Sequence, residues 1–142
     1  MSDEGTFKPV DESEQVMYGP RGLLVVGFTK EEEDRFLGVL ESGLSELKVV
    51  FTAKEAGEET LGELLSRDAH SGKGAEAELE RAVVMSGISQ RELHSIMKLY
   101  KGLGLPSPLW AALTPTSETW KLSDLLKELS AERAAFKKKR GS

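Results

Sequence analysis

One segment is written twice in this chain. Leu23-Leu-Val-Val-Gly-Phe-Thr-Lys-Glu-Glu returns near the middle as Ala82-Val-Val-Met-Ser-Gly-Ile-Ser-Gln-Arg-Glu. Each version is an apolar run, then Gly, an apolar residue, a hydroxyl residue and a Glu three places on. The parallel continues downstream, where Leu47-Lys-Val-Val-Phe-Thr answers Leu109-Trp-Ala-Ala-Leu-Thr and Leu61-Gly-Glu-Leu-Leu answers Leu122-Ser-Asp-Leu-Leu. Two copies of one supersecondary unit must bury the same faces twice, which restricts the fold more than composition does. The pattern predicts an α/β fold in which two βαβα repeats form a four-stranded mixed or parallel sheet packed by helices.

The local signals agree with that plan. Leu23 to Val26 and Ala82 to Met85 are continuous apolar runs, as strands buried on both faces require. Thr29 with Glu32, and Ser89 with Glu92, have the spacing of capping boxes at helix starts. Phe36, Leu37 and Leu40 then mark one helical stripe, and Leu93, Ile96, Met97 and Tyr100 mark another. Leu47 to Phe51 and Leu109 to Leu113 are the second strand of each half, and a helix between the strands of a half suits parallel pairing. Leu61, Leu64 and Leu65 predict a short helix. Leu122, Leu125, Leu126, Leu129 and Phe136 predict a long one, with Thr119 as its cap. The expected division is an acidic disordered tail over 1–21, from which residues 16–18 dock on the core, a first repeat over 22–66, a linker over 67–81, a second repeat over 82–137 and a basic tail over 138–142.

The totals exclude several kinds of chemistry. The chain has 142 residues, no Cys and a net charge of −5. Without Cys there are no disulfides, thiolate zinc sites or cysteine nucleophiles. The acidic balance argues against general nucleic-acid binding, which needs a basic field. No apolar run approaches the roughly 20 residues that cross a bilayer. His70 and His94 are the only histidines, and neither has metal-ligand spacing to a second ligand, so no metal and no cofactor are expected.

Gly87-Ile88-Ser89 after a strand, Leu113-Thr-Pro-Thr before Trp120-Lys-Leu-Ser-Asp-Leu-Leu, and the trailing Glu132-Arg133 with its Lys run resemble an uncharacterised domain family of bacteria and plant plastid proteins. The resemblance covers 82–139 and is weaker over the first half, where Thr52-Ala53-Lys54 replaces the Thr-Pro-Thr turn. It implies a fold type and a plastid location, in the chloroplast stroma, and supplies no catalytic residues; the cytoplasm is the alternative location.

Two sets of candidate site residues follow. Gly27 and Thr29, and Gly87 and Ser89, lie where a strand meets a helix N-terminus, a position that can hold an anion or nucleotide phosphate. If the two turns shared one sheet edge, a ligand would sit between them. The commoner duty of such turns is structural, Gly making the turn and the hydroxyl capping the helix. Trp120, with Thr116, Ser117 and Phe136, forms the other set, since an exposed Trp offers large area and a polar N–H to a protein partner. Lys137, Lys138, Lys139 and Arg140 make a short basic run whose contact with an anionic surface would be weak and salt-sensitive. With no catalytic constellation in view, the expectation is a non-enzymatic protein-interaction module, an assembly, scaffold or regulatory factor. A small anion- or nucleotide-binding domain is the alternative.

Overall fold

The computed structural model describes residues 16–44, 47–52, 58–74 and 80–141, with side chains in the last helix through residue 135. Its elements are β1 (Gly22–Val26), α1 (Lys30–Gly43), β2 (Val49–Phe51), α2 (Leu61–Leu65), β3 (Ala82–Ser86), α3 (Gln90–Lys101), β4 (Leu109–Ala112) and α4 (Leu122–Gly141). A 3-10 turn, Ser117–Thr119, precedes α4. The strands form one sheet in the order β2-β1-β3-β4. β1 and β2 are parallel, as are β3 and β4, and β1 meets β3 antiparallel with Leu24 opposite Val84. The sheet is therefore mixed.

The two central strands are buried at every residue, which their sequences, apolar but for Ser86, allow. Alternation then sorts their side chains. Leu23, Val25, Val83 and Met85 join Phe36 and Leu40 of α1 and Ile96 and Tyr100 of α3 on one face. Leu24, Val26 and Val84 join Leu61, Leu64 and Leu65 of α2 and Leu122, Leu125 and Leu126 of α4 on the other. Each half thus sends its first helix to one face and its second to the opposite face. Both cores draw on both halves. Fully burying a side chain of this size contributes about 1.5–3 kcal/mol, so neither half holds a complete core of its own.

The structure adjusts several expectations. The strand predicted from Leu47 begins at Val49. Aligning Leu47 with Leu109 is also out of register. Val49 pairs with Leu23 while Trp110 pairs with Val83, so Val49 and Trp110 are the equivalent residues, and the assumed alignment would exchange the two faces. Thr119 does not cap α4. It sits in the 3-10 turn, where its hydroxyl donates to the Thr116 carbonyl at 3.3 Å. A third capping box, Thr60 with Glu63, starts α2 and escaped the sequence reading. Of residues 16–18, expected to dock on the core, Met17 packs on the α1/α3 core, while Val16 and Tyr18 are exposed. Of the tail expected to be disordered over 1–21, residues 1–15 lie outside the described residues, and residues 16–21 are described, with Met17 and Tyr18 held by main-chain hydrogen bonds to Ile88 and Gly87.

Candidate functional site

The strand–helix turns are built as capping boxes. The Thr29 hydroxyl accepts the Glu32 amide at 3.2 Å while Glu32 accepts the Thr29 amide at 2.9 Å. Ser89 and Glu92 repeat this at 3.1 and 3.0 Å. Each capping glutamate also binds an arginine from the other half. Arg81, just before β3, donates to both Glu32 oxygens at 2.8 and 3.0 Å. Arg21, just before β1, donates to both Glu92 oxygens at 2.8 and 2.6 Å.

The charges respond to these contacts. Burial pushes the Glu32 carboxyl up, but the Arg81 guanidinium and the Thr29 amide outweigh it and hold the group below its ordinary value. Arg21 holds Glu92 down against a smaller effect of burial. Arg81 additionally stands over the Phe28 ring, 5.0 Å from its centroid, a cation–π contact.

The register decides what these turns can do together. Val26, at the end of β1, is opposite Ala82, at the start of β3, and Gly22 is opposite Ser86. Gly27 and Thr29 therefore lie at one end of the central strand pair, with Gly87 and Ser89 at the other. They form no common crevice. Gly87 has a local reason to be glycine, since its φ is +62° and a Cβ there would lie 2.4 Å from the Gly19 carbonyl oxygen.

The second candidate set is tied into the fold. Ser117 is buried, and its hydroxyl bridges the Thr114 amide and hydroxyl at 3.0 Å each. Thr116 is exposed. Trp120 is half-buried against the α2/α4 core, and its carbonyl accepts the Leu61 amide at 3.0 Å. It joins the start of α2 to the start of α4. Phe136 lies within α4, and its side chain, like those of the basic run after it, is outside the described residues.

The feature that sequence reasoning missed is a difference between the two sheet edges. On β2 the Phe51 amide donates to Ser71 O at 2.8 Å, and the His70 amide donates to Val49 O at 2.7 Å. The stretch expected to be a linker thus covers that edge. His70 takes a φ of 68° to do so, and Gly72 comes so close that a Cβ would sit 2.4 Å from Phe51 O.

On β4 the Leu109 amide donates to Arg81 O at 2.9 Å and the Leu113 amide to Met85 O at 2.8 Å. By alternation, Trp110 and Ala112 turn their N–H and C=O groups outward. Among the described residues no strand pairs with that edge.

A groove of about 550 Å³ runs beside it, lined by Met97, Lys98, Tyr100, Lys101, Leu105 and Trp110 among others. Trp110 packs edge-on to Tyr100 with centroids 5.6 Å apart. The Tyr100 hydroxyl, pushed up by burial, donates to the Pro106 carbonyl. Lys98 and Lys101 are exposed, and neither has an ion-pair partner among the described residues. Arg133 reaches across from α4 to the Pro108 carbonyl at 2.9 Å. The available signal was Trp110 opening a strand after a Gly/Pro-rich connection, and the same residue is half-buried against the α1/α3 core. A second groove of about 560 Å³ lies between the ends of α1 and α3, walled by Val39, Leu44, Leu99 and Leu103. No helix among the described residues is long and apolar enough to cross a membrane.

No curated protein and no solved structure matches the chain. A family model described as a domain of unknown function, DUF3783, matches residues 81–136. The match runs from the arginine before β3 into α4, and is to an uncharacterised domain family.

Proposed function

We propose that this chain is a non-enzymatic protein-interaction module, an assembly, scaffold or regulatory factor, which receives an extended segment along the outer edge of β4. The observation that carries the reading is the contrast between an edge covered by its own loop and an edge whose outward N–H and C=O groups meet no strand among the described residues. Such an edge is a template for strand addition, in which main-chain hydrogen bonds supply affinity and flanking pockets select side chains. The groove beside β4 provides both an aromatic wall, Tyr100 and Trp110, and two lysines to orient an acidic group. Trp120 serves this reading as a control, because it is engaged in joining α2 to α4. The halves are read as copies of one unit, supported by the shared 60-residue offset of Arg21 and Arg81, Thr29 and Ser89, and Glu32 and Glu92. A chloroplast stroma location is proposed on the family resemblance alone, with the cytoplasm as the alternative, and fractionation of the source cells checks it.

A photo-cross-linking residue at Ser107, an exposed position lining the groove, tests the interaction. In native extract the adduct should be lost in Ala112→Pro, which removes an outward N–H that an edge strand tolerates losing. It should also be lost in Lys98→Glu/Lys101→Glu and kept in Trp120→Ala. An adduct indifferent to the edge variants, or lost only in Trp120→Ala, contradicts the reading.

A further inference from the structure

Resting on the interaction reading above, we infer that the resident occupant of the β4 edge and its lysine-lined groove is the chain's own acidic N-terminal stretch, residues 1–15, which a partner must displace. Charge is the first reason. Residues 1–15 carry Asp3, Glu4, Asp11, Glu12 and Glu14 against Lys8 alone. The groove they would meet presents Lys98 and Lys101, one helical turn apart on α3. Opposite charges at such a surface steer and orient a segment.

Position is the second reason. Val16 bridges to Ser89, the Met17 amide donates to Ile88 O at 2.8 Å, and the Tyr18 carbonyl accepts the Gly87 amide at 3.0 Å. The Tyr18 hydroxyl reaches Glu118 at 2.5 Å, and a Cβ on Gly19 would meet Leu113 at 2.8 Å. Residues 16–19 therefore lie at the finishing end of β3 and just past β4. Fifteen residues extend to about 50 Å, whereas passing the four residues of β4 needs about 13 Å. The stretch is long enough to follow the open edge and carry its acids to the lysines at the far end.

The absence of native cysteine makes a clean test available in the full chain. A nitroxide on Thr6→Cys should broaden the amide signals of Lys98, Lys101 and Trp110, to the same degree in dilute and concentrated samples. Broadening should disappear in Lys98→Glu/Lys101→Glu and weaken in high salt, which screens exposed charges. Neutralising the stretch (Asp3→Asn, Glu4→Gln, Asp11→Asn, Glu12→Gln, Glu14→Gln) should abolish it and increase the Ser107 adduct several-fold. No broadening at the groove overturns the occupant, as does broadening at the Trp120 face. Broadening that grows with concentration overturns it in favour of a neighbouring copy. In each of these cases an adduct still lost in Ala112→Pro leaves the interaction reading standing, so the two failures are distinguishable.

Discussion

At the scale of single residues, the arginine–glutamate pairs that cross between the halves differ in burial. That difference predicts different consequences. The Arg81 and Glu32 side chains are 19% and 16% exposed, against 41% and 23% for Arg21 and Glu92. Arg81→Met should therefore cost about 2 kcal/mol, the usual worth of a hydrogen bond to a charged group inside a protein. Arg21→Met should cost less than about 1 kcal/mol, as exposed pairs do. Urea denaturation of the two variants checks the order.

The same pairs set a pH dependence. Both glutamates have folded values below their ordinary 4.5, so the unfolded chain binds more protons in that range. The stabilisation is fully present above about 4.5 and is lost as pH falls through the lower folded values. A melting-temperature series should show the decline below that point, and Arg81→Met should flatten it. Ser86 works in the opposite direction. Its hydroxyl is buried and, among the described residues, has no hydrogen-bond partner, so Ser86→Ala should raise stability by about 1 kcal/mol in the same denaturation assay.

At the scale of elements, what was legible in the sequence is what local chemistry dictates. β1 and β3 are readable because a strand covered on both faces must be apolar throughout. α1 and α3 are readable because a hydroxyl and a glutamate three residues apart satisfy the amides at a helix start. Thr60 and Glu63 carry the same signal but sit in a polar connection with only a five-residue helix behind them, too little periodicity to draw notice. The edge of β4 was not legible. Whether a strand is internal or external depends on strand order, and nothing in Leu-Trp-Ala-Ala records its neighbours. For the same reason the turns at Thr29 and Ser89, alike in sequence, left open whether they share one end of the sheet, and the antiparallel β1–β3 pair sets them at opposite ends. Gly72 shows the covered edge at work. Gly72→Ala places a Cβ against Phe51 O at a positive φ, and should cost more than about 1 kcal/mol. By dislodging the 70–71 cover it should also expose β2 to strand pairing. Sedimentation velocity should then show a larger share of dimers or larger species than the parent chain gives at the same concentration.

At the scale of the whole molecule, the two halves are joined by the antiparallel β1–β3 pair and by two cores that each need both of them. One cooperative unit follows, with β2 and β4 as its outer strands. Native-state amide exchange tests this most directly, because it reads the opening free energy of each strand separately. Leu24 in the first half and Val84 in the second should exchange only through global unfolding, with equal free energies that match the value from urea. A lower value for one half, with the other still protected, would mean that the halves fold independently and would contradict the account.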